Sequence, residues 1–246
     1  MYIDDDGILL SAVLEKAEKP EGAERRPLVI LLHGFTSSKD RPHNLLAAAA
    51  MREAGCDTLR FDLYGHGESG GEFRKHTLYR WISNTMAVID YVRGLGYTEL
   101  YLSGHSQGGL AAALTAGMEA DRIRGLILRA PAFMIPECAR TGSMLGTEFD
   151  PDHIPDSVPT IKNLELDGNY IRVAQMIRAE DAADRFRNPV LILHGSEDDL
   201  VPPADSRRMA ERYQNCELAV IAGETHHFDR HPERMREIIR NWLAKR

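Results

Sequence analysis

Residues 104–108 read Gly-His-Ser-Gln-Gly, a serine with a glycine two positions away on either side. A short apolar run precedes them and a helix-forming run follows, the strand–turn–helix context in which a serine hydroxyl is presented as a nucleophile. The reason is local: so sharp a turn holds its serine in a sparsely allowed backbone conformation, and flanking glycines let strand and helix pass without side-chain collision. A glycine-rich turn with an incidental serine has the same five residues. What separates the two is partners, because a serine hydroxyl is a poor nucleophile until an oriented base takes its proton and an acid stabilises that base.

Two later segments offer those partners. Residues 194–202, His-Gly-Ser-Glu-Asp-Asp-Leu-Val-Pro, place Glu197, Asp198 and Asp199 behind one apolar run. Residues 223–228, Gly-Glu-Thr-His-His-Phe, place His226 and His227 behind another. Taken singly, these are a solvated loop carboxylate and a surface histidine. Taken together they follow Ser106 in the order serine, acid, histidine, each at the carboxyl end of a different predicted strand, and that constellation performs acyl transfer. An acyl-transfer site also needs backbone N–H groups for the oxyanion. The amide of Gln107, directly after the serine, is one candidate, and the amide of Phe35, in His33-Gly34-Phe35-Thr36, is the other.

The elements that must carry these residues alternate between apolar runs too short for helices and longer stretches of helical period. Residues 7–13, 27–32, 58–62, 100–103, 123–128, 190–193 and 218–221 are predicted strands. Residues 44–54, 78–95, 110–118, 205–213 and 232–244 are predicted helices, the first stopped by Gly55. The class is α/β, with a mostly parallel sheet covered by helices on both faces. Between residues 131 and 187 the alternation breaks at Pro136, Pro151, Pro155 and Pro159, until a helical stretch near 170–177. A structureless loop of that length is improbable in a compact domain, so 131–187 is read as an inserted lid or cap, with 1–130 and 188–246 as the core.

Composition narrows the partners. The 246 residues carry a net charge of −7, the wrong sign for binding nucleic acid through the overall field. The longest apolar stretches, residues 28–32 and 45–51, fall far short of a bilayer span, so no membrane association is expected. The acidic start, MYIDDDGILL, lacks the basic and long apolar regions of an export signal. The three cysteines, Cys56, Cys138 and Cys216, form no CxxC pair, which fits a reducing, cytoplasmic compartment. The ten histidines contain no HExxH, so neither metal nor other cofactor is expected in catalysis.

With HGFTSSK, FDLYGHGESGG, GHSQGG, HGSEDDLVP and GETHHF in that order along nearly the whole chain, the sequence resembles the α/β-hydrolase superfamily. Within it, the set is most similar to the small feruloyl or cinnamoyl esterases of gut and rumen bacteria. The resemblance implies the α/β-hydrolase fold and a cofactor-independent serine carboxylesterase acting on a small-molecule ester, for which a homodimer is admissible. It implies Asp198 as the acid and His226, ahead of His227, as the base. It also implies Tyr170 at the phenolic end of the substrate, with Asp167 and Asn169 as neighbouring candidates. The family's lid tryptophan has no counterpart, since Trp81 and Trp242 fall on predicted helices of the core. A monoacylglycerol-type lipase or thioesterase shares the DxxGHGxS segment, and a hydrolase-fold receptor without turnover is the non-enzymatic alternative. In that segment Asp62, Tyr64 and His66 are expected to hold the loop by local hydrogen bonds.

Overall fold

A computed structural model describes residues 1–17 and 27–246. The chain opens with β1 (Tyr2–Asp5) and β2 (Ile8–Glu15), an antiparallel hairpin, and continues through β3 (Leu28–Leu32), α1 (Pro42–Glu53), β4 (Asp57–Phe61), α2 (Leu78–Gly94), β5 (Leu100–His105), α3 (Gln107–Met118) and β6 (Ile123–Arg129). The insertion follows, with α4 (Ile135–Thr141), two short hairpins, β7 (Ser143–Met144) with β8 (Thr147–Glu148) and β9 (Ser157–Pro159) with β10 (Glu165–Asp167), then α5 (Asn169–Met176) and α6 (Ala179–Arg185). The chain closes with β11 (Val190–Gly195), α7 (Pro203–Arg212), β12 (Cys216–Ile221) and α8 (Pro232–Leu243). Among the described residues the main sheet has the order β1-β2-β4-β3-β5-β6-β11-β12, parallel from β4 to β12.

The near-continuous apolar strands follow from burial on both faces. In β3, Leu28, Ile30 and Leu32 join a core with α2, α3 and the insertion, whereas Val29 and Leu31 join a second core with Ala47 and Met51 of α1 and Ile239 and Trp242 of α8. Period-two alternation sends neighbouring side chains to opposite layers. Trp81 and Trp242 are both fully buried in these layers, one on each side.

Three differences from the sequence reading have physical causes. β1 lies ahead of the first predicted strand, because an acidic edge strand, Tyr-Ile-Asp-Asp, lacks the apolar run of a central one. α3 begins at Gln107 rather than 110, immediately behind the nucleophile candidate. In the insertion α5 matches the expected helical stretch, but α6 packs directly on α3: a Cβ at Gly117 would meet Ala182 at 2.7 Å.

Candidate active site

The carboxyl ends of β3, β5, β11 and β12 converge, as ligand-binding ends of open α/β sheets do. Ser106, between β5 and α3, has φ +56° and ψ −124°, a conformation that L residues rarely occupy. Its backbone is over-determined: Ser106 N–H donates to Arg129 O at 3.0 Å, and Ser106 O accepts from Ala132 N–H at 3.0 Å. The glycines are required by proximity. A Cβ on Gly104 would lie 2.1 Å from Gly108 O, and one on Gly108 would lie 2.1 Å from His33 O.

Of the three acidic candidates, Asp198 alone is buried, while Glu197 faces out to pair with Arg230 and Asp199 is exposed. Asp198 Oδ2 meets His226 Nδ1 at 2.7 Å and His194 Nε2 at 3.1 Å, and Oδ1 accepts from the N–H groups of Leu200 and Val201 at 3.0 and 2.8 Å. Burial by itself would raise the Asp198 pKa. The bonds from His194, His226 and the Val201 amide outweigh it and hold the carboxyl well below the usual range, so it stays ionised. With Nδ1 facing a carboxylate, Nε2 of a neutral His226 carries the lone pair that can accept a proton. His226 is buried and lines the same cavity as Ser106; His227 is exposed at its mouth.

The segment bearing Phe35 lies against Ser106, a Cβ on Gly34 standing 3.0 Å from Ser106 Cβ. The Phe35 ring is flanked by Phe73 and His76 at 5.4 and 5.6 Å. His33 Nε2 accepts from Leu63 N–H at 3.0 Å, tying this loop to the one that follows β4. Asp62 anchors the two loops further, accepting from the Lys39 amide at 2.7 Å, the Lys39 ammonium at 2.9 Å and the Glu68 amide at 3.0 Å. Asp62 and His66 therefore make local loop bonds, His66 to the Tyr64 carbonyl at 3.0 Å.

The cavity over Ser106 has a volume of about 410 Å³, within the range of small-molecule sites. The insertion supplies its apolar wall: Met134, Ile135, Met144, Leu145 and Ile161, with Cys138 and Ser143 as polar groups. The three residues expected at the phenolic end, Tyr170, Asp167 and Asn169, lie outside this lining. Tyr170 is 1% exposed, and its hydroxyl donates to Gln107 Oε1 at 2.8 Å. Asp167 pairs with Arg74, and Asn169 is exposed at the start of α5. Sequence spacing places Tyr170 on the lid but does not show which way its ring turns. The structure turns it toward Gln107, the first residue of α3.

Sequence reasoning also passed over His43 and His105. Their rings are 4.3 Å apart, and His105 is 4.7 Å from His226. Burial, assisted by the nearby Arg129 guanidinium, lowers the His43 pKa to about 2, and burial with His43 beside it takes His105 well below the ordinary histidine value. Both are neutral imidazoles. They come from distant segments, so no motif spacing could have joined them.

Known proteins share this fold. The serine aminopeptidase S33 family (Hydrolase_4) matches residues 23–160 and 159–232. The solved structure of Est1E from Butyrivibrio proteoclasticus with ferulic acid bound is 46% identical, covering 100% of this chain and 98% of that one, with a TM-score of 0.96. The monoacylglycerol lipase of Mycolicibacterium smegmatis is 24% identical over 254 residues, covering 89% of this chain and 88% of the lipase. The mitochondrial palmitoyl-protein thioesterase ABHD10 of Pongo abelii is 24% identical over 206 residues; the match covers 80% of this chain and spans 65% of that protein's length. No helix among the described residues is long and apolar enough to cross a membrane.

Proposed function

The chain belongs to the Hydrolase_4 (serine aminopeptidase, S33) family and has the α/β-hydrolase fold, and on that premise we propose that it is a serine-type ester hydrolase that cleaves hydroxycinnamoyl esters through an acyl-enzyme. The observation that carries the reading is the buried Asp198–His226 pair opening, with Ser106, into one compact cavity whose far wall is the insertion. Est1E, similar along its whole length, holds ferulic acid.

In this mechanism His226 Nε2 takes the Ser106 proton while the hydroxyl attacks the ester carbonyl, and the Gln107 and Phe35 amides hold the tetrahedral oxyanion. Asp198, ionised at every working pH, keeps the imidazole in the tautomer with Nδ1–H and offsets the imidazolium that forms. His226 then protonates the departing alcohol, and water repeats the sequence to release the acid. The flat acyl group lies between Met134, Ile135, Met144 and Leu145, apolar along its length as those walls are.

The apolar wall also favours a second reading, a lipase or thioesterase acting on acyl chains. A kinetic panel separates them. Methyl hydroxycinnamates should be turned over with higher kcat/KM than acyl esters of increasing chain length; preference for medium or long chains would move the assignment to the second reading.

A further inference from the structure

Four imidazole rings crowd around Ser106, and acyl transfer uses one of them. The rings of His105 and His226 lie 4.7 Å apart, those of His226 and His227 5.2 Å, and those of His105 and His227 5.8 Å, with His43 behind. One ring nitrogen from each of His105, His226 and His227 falls within 4.8 Å of the other two. His105 Nε2 meets the His226 carbonyl at 2.9 Å, which leaves His105 Nδ1 buried with no hydrogen-bond partner in a ring only 2% exposed. A buried polar atom without a partner is costly unless something meets it.

We propose that His105, His226 and His227 form a binding site for a divalent transition-metal ion of the zinc type, and that its occupancy switches hydrolysis off. Three neutral imidazoles suit zinc, whose tetrahedral shell would leave a fourth position for water. The Asp198 carboxylate on His226 Nδ1 is the same arrangement that orients a metal-bound histidine and raises its basicity. A metal on Nε2 engages the lone pair that takes the Ser106 proton, so inhibition follows from occupancy. The identity of His226 as base comes from the proposed function; binding of the ion does not depend on it.

Two features limit the affinity. Nitrogens on one tetrahedral zinc stand about 3.4 Å apart at Zn–N distances of about 2.0–2.1 Å, so the exposed His227 must swing inward. The fully buried Arg129 guanidinium, bonded to His43 O and Asn44 Oδ1, adds a positive charge behind the cluster. Such a site responds to zinc without holding it permanently. Magnesium and calcium, which take oxygen ligands, should be ignored.

The test is zinc titration in a non-chelating buffer. Calorimetry on the Ser106→Ala protein should show one ion per chain, and the unmodified protein should lose ester hydrolysis reversibly, with EDTA restoring it. His227→Ala should weaken binding and inhibition about tenfold or more, since loss of a direct ligand costs no less than loss of an outer-shell partner. Equal zinc affinity in His227→Ala, zinc binding that leaves hydrolysis untouched, or no zinc heat in Ser106→Ala overturns the proposal. Because calorimetry needs no turnover, it decides the site even if the protein proves inactive on every hydroxycinnamate.

Discussion

The Tyr170 hydroxyl donates to Gln107 Oε1 across 2.8 Å, joining the first turn of α5 to the residue directly behind Ser106, whose backbone amide is the proposed oxyanion donor. The Tyr170 ring also stands edge-on to His76, which stacks on Trp81, so the contact is backed by the core. Gln107 Nε2 is already buried without a partner, and removing the hydroxyl would strand Oε1 as well. An unsatisfied buried group costs about 1–3 kcal/mol, a tenfold to hundredfold effect when it falls on one step. Tyr170→Phe should therefore lower kcat on ferulate esters and on cinnamate esters without a phenol by similar factors, with KM little changed. A loss confined to phenolic substrates would return Tyr170 to the substrate's far end.

The second expectation concerns the acid and the base. Ser106→Ala and His226→Ala should each cost on the order of 10³ or more in kcat, because members of a triad act as a unit. Asp198→Asn should also be severe, since it removes the ionised partner of His226 Nδ1, whereas Asp199→Asn, at an exposed side chain, should be mild. Steady-state kinetics on a methyl ester checks all four, and a dead Asp199→Asn would relocate the acid.

Lys39 carries the third. Its side chain is 4% exposed and its ammonium bridges Asp62, Asp40 and Glu68 at 2.9, 3.3 and 2.7 Å. The pull of burial is outweighed by these carboxylates, and the Lys39 pKa ends above its ordinary value. Lys39→Met would leave the Asp62 carboxylate, 1% exposed, with amide donors alone. Breaking a buried pair from one side costs roughly 3–5 kcal/mol, and the upper part of that range is tempered here because Glu68 is largely exposed. Chemical denaturation should show the loss; unchanged stability would mean the pair contributes nothing net.

The fourth follows from the histidines behind Phe35. Burial lowers His33 and His76 to a pKa of about 3 and His66 to about 4, with His66 a further lowering influence on the other two. An unfolded histidine titrates near 6.5, so below that pH the unfolded chain binds protons that the folded one refuses. Stability contributed by these groups is complete above about pH 6.5 and is lost as pH falls toward 4 and then 3, at up to about 1.4 kcal/mol per pH unit per proton. Thermal melts should be level from pH 7 to 8 and fall progressively below 6. His76→Phe should flatten that fall, and melts insensitive to acid down to pH 4 would contradict the burial argument.

These outcomes also mark what a sequence carries. The turn at Ser106 is legible because its geometry demands glycines at 104 and 108, and the central strands are legible because burial on both faces demands apolar runs such as Leu28–Leu32. The short helices α4 and α6, of seven residues each, hide among prolines and charges because two turns leave too little period to read. The charged residues of 131–187 pair on the outside, as Glu180 does with Arg208 and Asp184 with Arg212, and leave the inner wall apolar, a division that composition does not reveal. Side-chain direction is set by packing. Tyr170, His226 and His227 can be named from sequence as residues but not as contacts.

The last expectation places acyl preference in that inner wall. Met144, 8% exposed on the β7 strand, lines the cavity with Leu145 and Ile161. Met144→Ala removes two methylene-sized groups and a thioether methyl from contact with the acyl group, and at about 0.8 kcal/mol per buried carbon this is worth roughly 2 kcal/mol of binding. A group that long should feel it as a rise of about tenfold or more in KM or fall in kcat/KM for methyl ferulate. An acetyl ester lacks that length of acyl group, so its kinetics should hardly change, and the ratio of the two substrates isolates the contact from any general loss of fold. Equal losses on acetate and ferulate would mean that Met144 supports the lid as a whole, and no loss on either would move the acyl group to the opposite side of the cavity, toward Leu200 and Val201.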